Sequence, residues 1–200
     1  SLSLAVGNSS VGDDITEWAT RSGLYRFNYD YQGKYLVEVV GRYDGTSRFQ
    51  KDNRFVFMPS ASVGWVISEE SFMSGTEGWL NFLKIRASYG SQGNQQVGAY
   101  SYIPSMGTGT ANWIINGERP LYSRPGGLVS DSYTWEKVNT TNFGFDFAFF
   151  KNKLQATAEI YKRETIGMLT AGEVLPATLG TSVPNENSSD LRVNGWELSL

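Results

Sequence analysis

Glu69 and Glu70 stand side by side, a spacing at which two carboxylates could share acid–base work. They border a short connection between strand-like segments, so a solvated turn is the simpler reading. Asp13-Asp14 could touch a cation from a long polar loop, but the ligand spacing of a calcium loop is missing. Gly107-Thr108-Gly109 lacks the strand-to-helix context that a phosphate cradle needs. Asn8-Ser9-Ser10, Asn139-Thr140-Thr141 and Asn187-Ser188-Ser189 fit the glycosylation triplet, which arises often by chance in Asn- and Ser-rich sequence. The 200 residues hold no His and no Cys. Histidine triads, HExxH zinc sites, thiol nucleophiles and disulfide scaffolds are therefore excluded. The expectation is a chain that is not an enzyme, with no catalytic residues, no metal and no cofactor.

Binding chemistry is better represented. The segment from Gln92 to Tyr133 carries Tyr100, Tyr102, Trp113, Tyr122 and Tyr133 among Gly, Asn and Ser. Aromatic faces stack on sugar rings or peptide side chains while amides supply hydrogen bonds, so Tyr100, Tyr102, Trp113 and Tyr122 are candidate ligand contacts. The competing reading has these rings packing the loop against itself or its neighbours. A second set is charged: Arg26, Glu38, Arg42, Lys84, Arg86 and Asp146, each out of step with apolar neighbours. They read as a solvated, salt-bridged wall, or as contacts to something that fills or crosses the space they face. The net charge of −3, with Lys and Arg in no run, leaves no footprint for a nucleic acid partner.

Those residues must be positioned by strands. Period-two alternation runs along most of the chain, and no long segment carries a helical apolar stripe. Strands are expected at about 1–6, 24–31, 34–43, 56–67, 83–91, 134–149, 153–164 and 191–200, about eight in all. Tyr25, Phe27, Tyr29 and Tyr31 alternate with Arg26, Asn28 and Asp30; Phe143, Phe145, Phe147 and Phe149 alternate with Asn142, Gly144 and Asp146. The fold class is all-β, an antiparallel up-and-down meander. Its connections are long at 7–23, 44–55, 92–133 and 165–190, tight at Gln32-Gly33 and Phe150-Lys151-Asn152, and intermediate at 68–82. Every second connection of a meander lies at the same end, so the long loops share one rim, as in outer-membrane barrels.

Tyr35 and Tyr43 bracket Val37 and Val39, as interfacial aromatics flank a lipid-facing band. Lys162 has the parity of that band but lies at the long-loop end of its strand, where its ammonium could snorkel to headgroups. No stretch approaches the roughly 18 apolar residues of a membrane helix, which leaves a membrane barrel open. A soluble sandwich, with the apolar faces packed on another sheet, stays open beside it. The runs at Ser1-Leu2-Ser3-Leu4-Ala5-Val6 and Gly195-Trp196-Glu197-Leu198-Ser199-Leu200 both look interrupted, so the chain is expected to be a fragment.

Seven stretches occur in a telling order. Tyr31-Gln-Gly-Lys-Tyr-Leu leads to Arg42-Tyr-Asp-Gly-Thr-Ser-Arg-Phe49; Pro59-Ser-Ala-Ser-Val-Gly-Trp-Val-Ile-Ser-Glu-Glu70 follows. Leu83-Lys-Ile-Arg-Ala-Ser-Tyr-Gly-Ser-Gln-Gly-Asn-Gln95 comes next, then Trp135-Glu-Lys, Thr141-Asn-Phe-Gly-Phe-Asp146 and Asn194-Gly-Trp-Glu-Leu198. Together they resemble the SusC/RagA family of TonB-dependent outer-membrane transporters over most of residues 25–200. Loops 7–23, 92–133 and 165–190 match nothing assignable.

The resemblance implies a segment of a 22-stranded transmembrane β-barrel, closed by a plug, that imports oligosaccharides or peptides across the outer membrane of a Gram-negative bacterium. Implied partners are membrane lipid, a SusD-like surface lipoprotein acting as a lid, and the TonB complex. Residues 1–200 are then part of one TonB-dependent receptor β-barrel domain, with the plug domain, TonB box and final barrel strand absent. Arg26, Glu38, Arg42, Lys84, Arg86 and Asp146 would face the lumen. From the residue pattern itself, a complete eight-stranded outer-membrane barrel and a soluble carbohydrate-binding module stand as alternatives.

Overall fold

Successive side chains on a strand point to opposite faces, so an alternating sequence can serve two environments at once. The computed structural model describes residues 13–76 and 78–200. Its strands are β1 (Thr20–Tyr31), β2 (Tyr35–Thr46), β3 (Phe55–Val66), β4 (Leu80–Asn94), β5 (Gly107–Thr110), β6 (Leu121–Arg124), β7 (Glu136–Phe149), β8 (Leu154–Ala171) and β9 (Asn185–Ser199). One seven-stranded antiparallel sheet runs β1-β2-β3-β4-β7-β8-β9, and β5-β6 is a separate hairpin. Short 3-10 turns at Ile67–Glu69 and Ser71–Thr76 fill the intermediate connection.

The register carries two kinds of row across the sheet. Tyr29, Val37, Val63, Ala87, Phe143, Ile160 and Trp196 lie opposite one another in sequence, all on one face. One residue away, Asn28, Glu38, Ser62, Ser88, Asn142, Tyr161 and Gly195 form a row on the other face. Among the described residues no second sheet covers the apolar face: Phe27 is 60% exposed and Trp196 74%. A sandwich needs such a cover, and the described residues supply none. β1 and β9 are opposite edges of the sheet, so the described strands form an open sheet that does not close on itself.

The tight turns are made by left-handed residues. Gln32 and Gly33 have φ of 55° and 67°, and the Gly33 N–H donates to Asp30 Oδ1 at 2.7 Å. Two such residues give the mirror-image turn whose twist suits a hairpin. Phe150, Lys151 and Asn152 have φ of 53°, 59° and 64°, a costly run without glycine. It is held from outside: the Phe150 N–H donates to the Trp79 carbonyl at 2.9 Å, and the Lys151 N–H to Asn81 Oδ1 at 2.6 Å.

Three expectations need adjustment. The strand expected at 1–6 lies outside the described residues. The loop expected at 165–190 shortens to 172–184, because β8 and β9 continue through a bulge between Thr165 and Met168. Gly167 there has φ 67°, which breaks the alternation that would have revealed the longer strands. The β5-β6 hairpin was hidden in loop 92–133, since strands of four residues offer too little period to read.

Candidate functional site: a two-faced wall and its loop rim

The apolar face is a band edged by aromatic rings. At the short-turn side Tyr35 stacks with Trp65 at 6.4 Å, and Trp79 with Phe149 at 6.2 Å. At the long-loop side Tyr43 stacks on Phe55 at 5.3 Å. Val37, Val39, Ala61, Val63 and Ala87 fill the interval. On β7 the side chains of Phe143, Phe145, Phe147 and Phe149 form a ladder with centroids 4.9, 6.1 and 5.9 Å apart.

The band does not follow the register. Its middle lies near Val39 on β2 but near Thr157 on β8, although Val39 connects through Ala61, Tyr89 and Thr141 to Lys162. The drift is about five residues, ~17 Å of strand, across four strand spacings of ~19 Å in total. A level band therefore requires strands inclined by roughly 40°, the tilt of membrane barrels.

The opposite face is ion-paired. Arg86 Nε donates to Asp146 Oδ2 at 3.2 Å, and Arg86 also pairs with Glu159. Asn142 Nδ2 donates to Glu159 Oε2 at 2.8 Å and Thr157 Oγ1 to Asp146 Oδ1 at 3.2 Å. Gly144 leaves room for this group: a Cβ there would meet the Arg86 guanidinium at 2.9 Å and displace it. Arg26 pairs with Glu38 at 3.6 Å and Arg42 with Asp44 at 2.7 Å. The register thus puts Arg26, Glu38, Arg42, Lys84, Arg86 and Asp146 on one face. Lys84 has no ion pair among the described residues; its chain lies over Gly64.

The long-loop rim holds the one buried apolar cluster among the described residues. Phe49, Val56, Met58, Tyr133 and Trp135 form it, with Val97, Tyr102 and Leu169 packed against it. Phe49 is fully buried, its ring 5.4 Å from Trp135 and 6.0 Å from Tyr133. Trp135 Nε1 donates to the Arg54 carbonyl at 2.9 Å. Arg48 stacks on Trp18 at 4.2 Å and donates to the carbonyls of Gln95 and Val97 at 3.2 and 3.1 Å. Asn187 accepts from the Thr134 N–H and donates to the Thr134 and Gly167 carbonyls, tying in β8 and β9. Three loops are thereby fixed to one another.

The candidate aromatics divide accordingly. Tyr133 is interior and Tyr102 half-buried against it, as the self-packing reading requires. Tyr100 and Trp113 are exposed, and Tyr122 lies over Gly109 with the Arg124 guanidinium 4.8 Å from its ring. Among the described residues no ring contact joins Tyr100, Trp113 and Tyr122. Sequence reasoning missed the rim cluster, though Phe49 and Trp135 both sit in the quoted motifs; an aromatic in a polar loop was the available signal.

Glu70, of the adjacent pair Glu69-Glu70, sits among donors from three residues. Glu70 accepts from the Tyr35 hydroxyl at 2.7 Å, the Trp65 indole N–H at 3.1 Å and the Lys34 ammonium at 3.3 Å. These donors, Tyr35 foremost, hold its carboxyl below the usual carboxylate range. The clasp joins the β1–β2 turn to the end of β3. Because the folded pKa is lowered, its contribution is complete above about pH 4.5 and is lost as pH falls through the folded value. The urea midpoint of the detergent-solubilised protein should therefore drop on acidification to pH 3, and Glu70→Gln should flatten that dependence. An unchanged slope in the variant counts against the clasp.

A tilted band with ring-lined edges, an ion-paired reverse face and loops knotted at one rim define a piece of transmembrane β-barrel wall. The chain belongs to the TonB dependent receptor-like, beta-barrel family, whose match covers residues 5–200. That family is one of outer-membrane barrels. TonB-dependent receptor P39 of Formosa agariphila is 33% identical over 192 residues, 96% of this chain and 18% of its own length. TonB-dependent receptor SusC of Bacteroides thetaiotaomicron is 32% identical over 199 residues, 92% of this chain and 19% of its own. The RagAB peptide importer in its open-open state superposes with a TM-score of 0.80 at 25% identity, over 98% of this chain and 21% of the importer chain. This chain thus spans about a fifth of the length of these relatives.

Proposed function

We propose that this chain forms part of the barrel wall and outer loops of a SusC/RagA-type importer that takes up oligosaccharides or peptides. A SusD-like surface lipoprotein covers the loops, and the TonB complex supplies energy through a plug domain outside these 200 residues. The observation that carries this reading is the division of the sheet into a tilted lipid-type band and an ion-paired face, with the loops gathered at one rim. In that frame Arg26, Glu38, Arg42, Lys84, Arg86 and Asp146 face the lumen. The wall binds and guides without making or breaking bonds. Tyr100, Trp113 and Tyr122 are the side chains placed to stack on a sugar ring or a peptide side chain.

The test is uptake by cells lacking the gene. Deletion should abolish import of either a defined oligosaccharide pool or a defined oligopeptide pool, with return on complementation. Trp113→Ala should lower uptake at limiting solute several-fold, by losing ~1 kcal/mol or more of stacking, while leaving surface expression unchanged. Import of both pools at the parental rate in the deletion strain would falsify the proposal.

A further inference from the structure

The apolar band stops short on β7, β8 and β9, and charge replaces it. On the face that carries Phe143, Ile160 and Trp196, the next row toward the long-loop rim is Thr141, Lys162 and Asn194. The row after that is Asn139, Glu164 and Arg192. Lys137, exposed and further along β7, shares the same face. Lys162 Nζ lies 2.9 Å and Arg192 Nε 2.8 Å from one oxygen, Glu164 Oε1. The carboxylate therefore fixes two cations side by side; Lys137 adds a third charge, while Asp190, two residues from Arg192 on the same face of β9, accepts from the Gly167 N–H. The Arg192 Nη groups have no partner among the described residues, and the Arg192 side chain is 65% exposed.

Depth decides what such a cluster meets. Lys162 is about five residues beyond the middle of the band on β8, ~17 Å along the strand and ~13 Å along the membrane normal at a tilt of roughly 40°. The lipid-facing band of a barrel is about 25 Å tall, so Lys162 lies at its edge, with Arg192 a step beyond at headgroup level. Snorkelling accounts for a single lysine. It does not account for a guanidinium on the neighbouring strand tied to that lysine by a shared carboxylate.

We infer that Lys162 and Arg192, set by Glu164 and supported by Lys137, form an outward-facing site for the phosphate of an outer-leaflet membrane lipid. Charge complementarity selects that occupant: the free Nη edge of Arg192 fits phosphate oxygens, and Lys162 adds a point charge beside it. Trp196, one row inward and open to the same side, lies where an indole borders acyl chains and headgroups. The inference rests on the membrane reading above.

The complete protein carrying this chain is purified in dodecyl maltoside and titrated with bisphosphorylated lipid A, then with the same lipid after dephosphorylation. Bound lipid is counted by native mass spectrometry. The unmodified protein should prefer the phosphorylated lipid. Lys162→Gln with Arg192→Gln should weaken that binding about 30-fold, from two interfacial charges, and leave binding of the dephosphorylated lipid unchanged. Lys162→Arg with Arg192→Lys should retain most of it. Equal affinities for the unmodified and Gln-substituted proteins, or no preference for phosphate, overturn the inference. Detergent dependence and heat-modifiable mobility of the same preparations test the membrane reading separately. A protein soluble without detergent overturns both, whereas a detergent-dependent barrel indifferent to phosphate overturns only the lipid site.

Discussion

Ala61→Arg is expected to destabilise the folded barrel by about 2–4 kcal/mol, and Ser62→Arg, one residue along, by less than ~0.5 kcal/mol. Ala61 lies on β3 opposite Val39 and Tyr89, in the middle of the apolar band. Ser62 lies opposite Glu38 and Ser88 on the ion-paired face, where an arginine gains a carboxylate neighbour. In water the order would reverse, because Ala61 is the exposed residue and Ser62 the half-buried one. The pair therefore separates a lipid environment from a solvent one through neighbouring positions on a single strand. Urea unfolding of the complete protein in lipid vesicles reads the difference. Equal costs would mean that the two faces meet the same medium.

Trp135→Ala should remove about 3–5 kcal/mol from the loop rim, the range for deleting a large buried aromatic. The indole contributes the contact with Phe49 and the hydrogen bond to the Arg54 carbonyl, which would be left without that donor. The loss is local. The β4–β7 pairing below the rim runs from Leu80 to Asn94, and the ring covers its outer end at Gly93. Chymotrypsin should thus cut after Tyr122 and Leu128 much faster in the variant, while amide protection in β4 and β7 persists. Trp113→Ala serves as the comparison, since that ring is 59% exposed and outside the buried cluster. Equal cleavage of Trp135→Ala and the parent would show that the rim does not hold the loop.

The wall was legible because each strand had to satisfy two media. Tyr25 to Tyr31 and Phe143 to Phe149 declare their faces by parity, and the register aligns those faces from β1 to β8 with one shift, between Leu80 and Phe82 at the start of β4. The rim was not legible, since its packing joins Phe49, Tyr133 and Trp135 from segments with no period in common. The outer part of β8 was hidden for a related reason: the bulge at Gly167 resets the alternation, and Asn187 and Asp190 repair the backbone there with side-chain bonds. Charge parity was read residue by residue, so Arg86 with Asp146 was anticipated as a shared face, but the third member, Glu159, emerged only from strand pairing. Lys162 was read alone, and only the β8–β9 register set Arg192 beside it.

One face of this sheet meets lipid and the other meets water, and a label on each face reads the difference. The 200 residues contain no Cys, so a single cysteine can be moved along β3 from Val56 to Val66 and spin-labelled in the complete protein in vesicles. Collision with molecular oxygen reports lipid, and collision with a water-soluble nickel chelate reports water. Oxygen maxima are expected at residues 57, 61, 63 and 65 and nickel maxima at 60, 62 and 64, a strict alternation with opposite phase. Labels of both parities that collide equally with nickel, or oxygen maxima at the even positions, would contradict it.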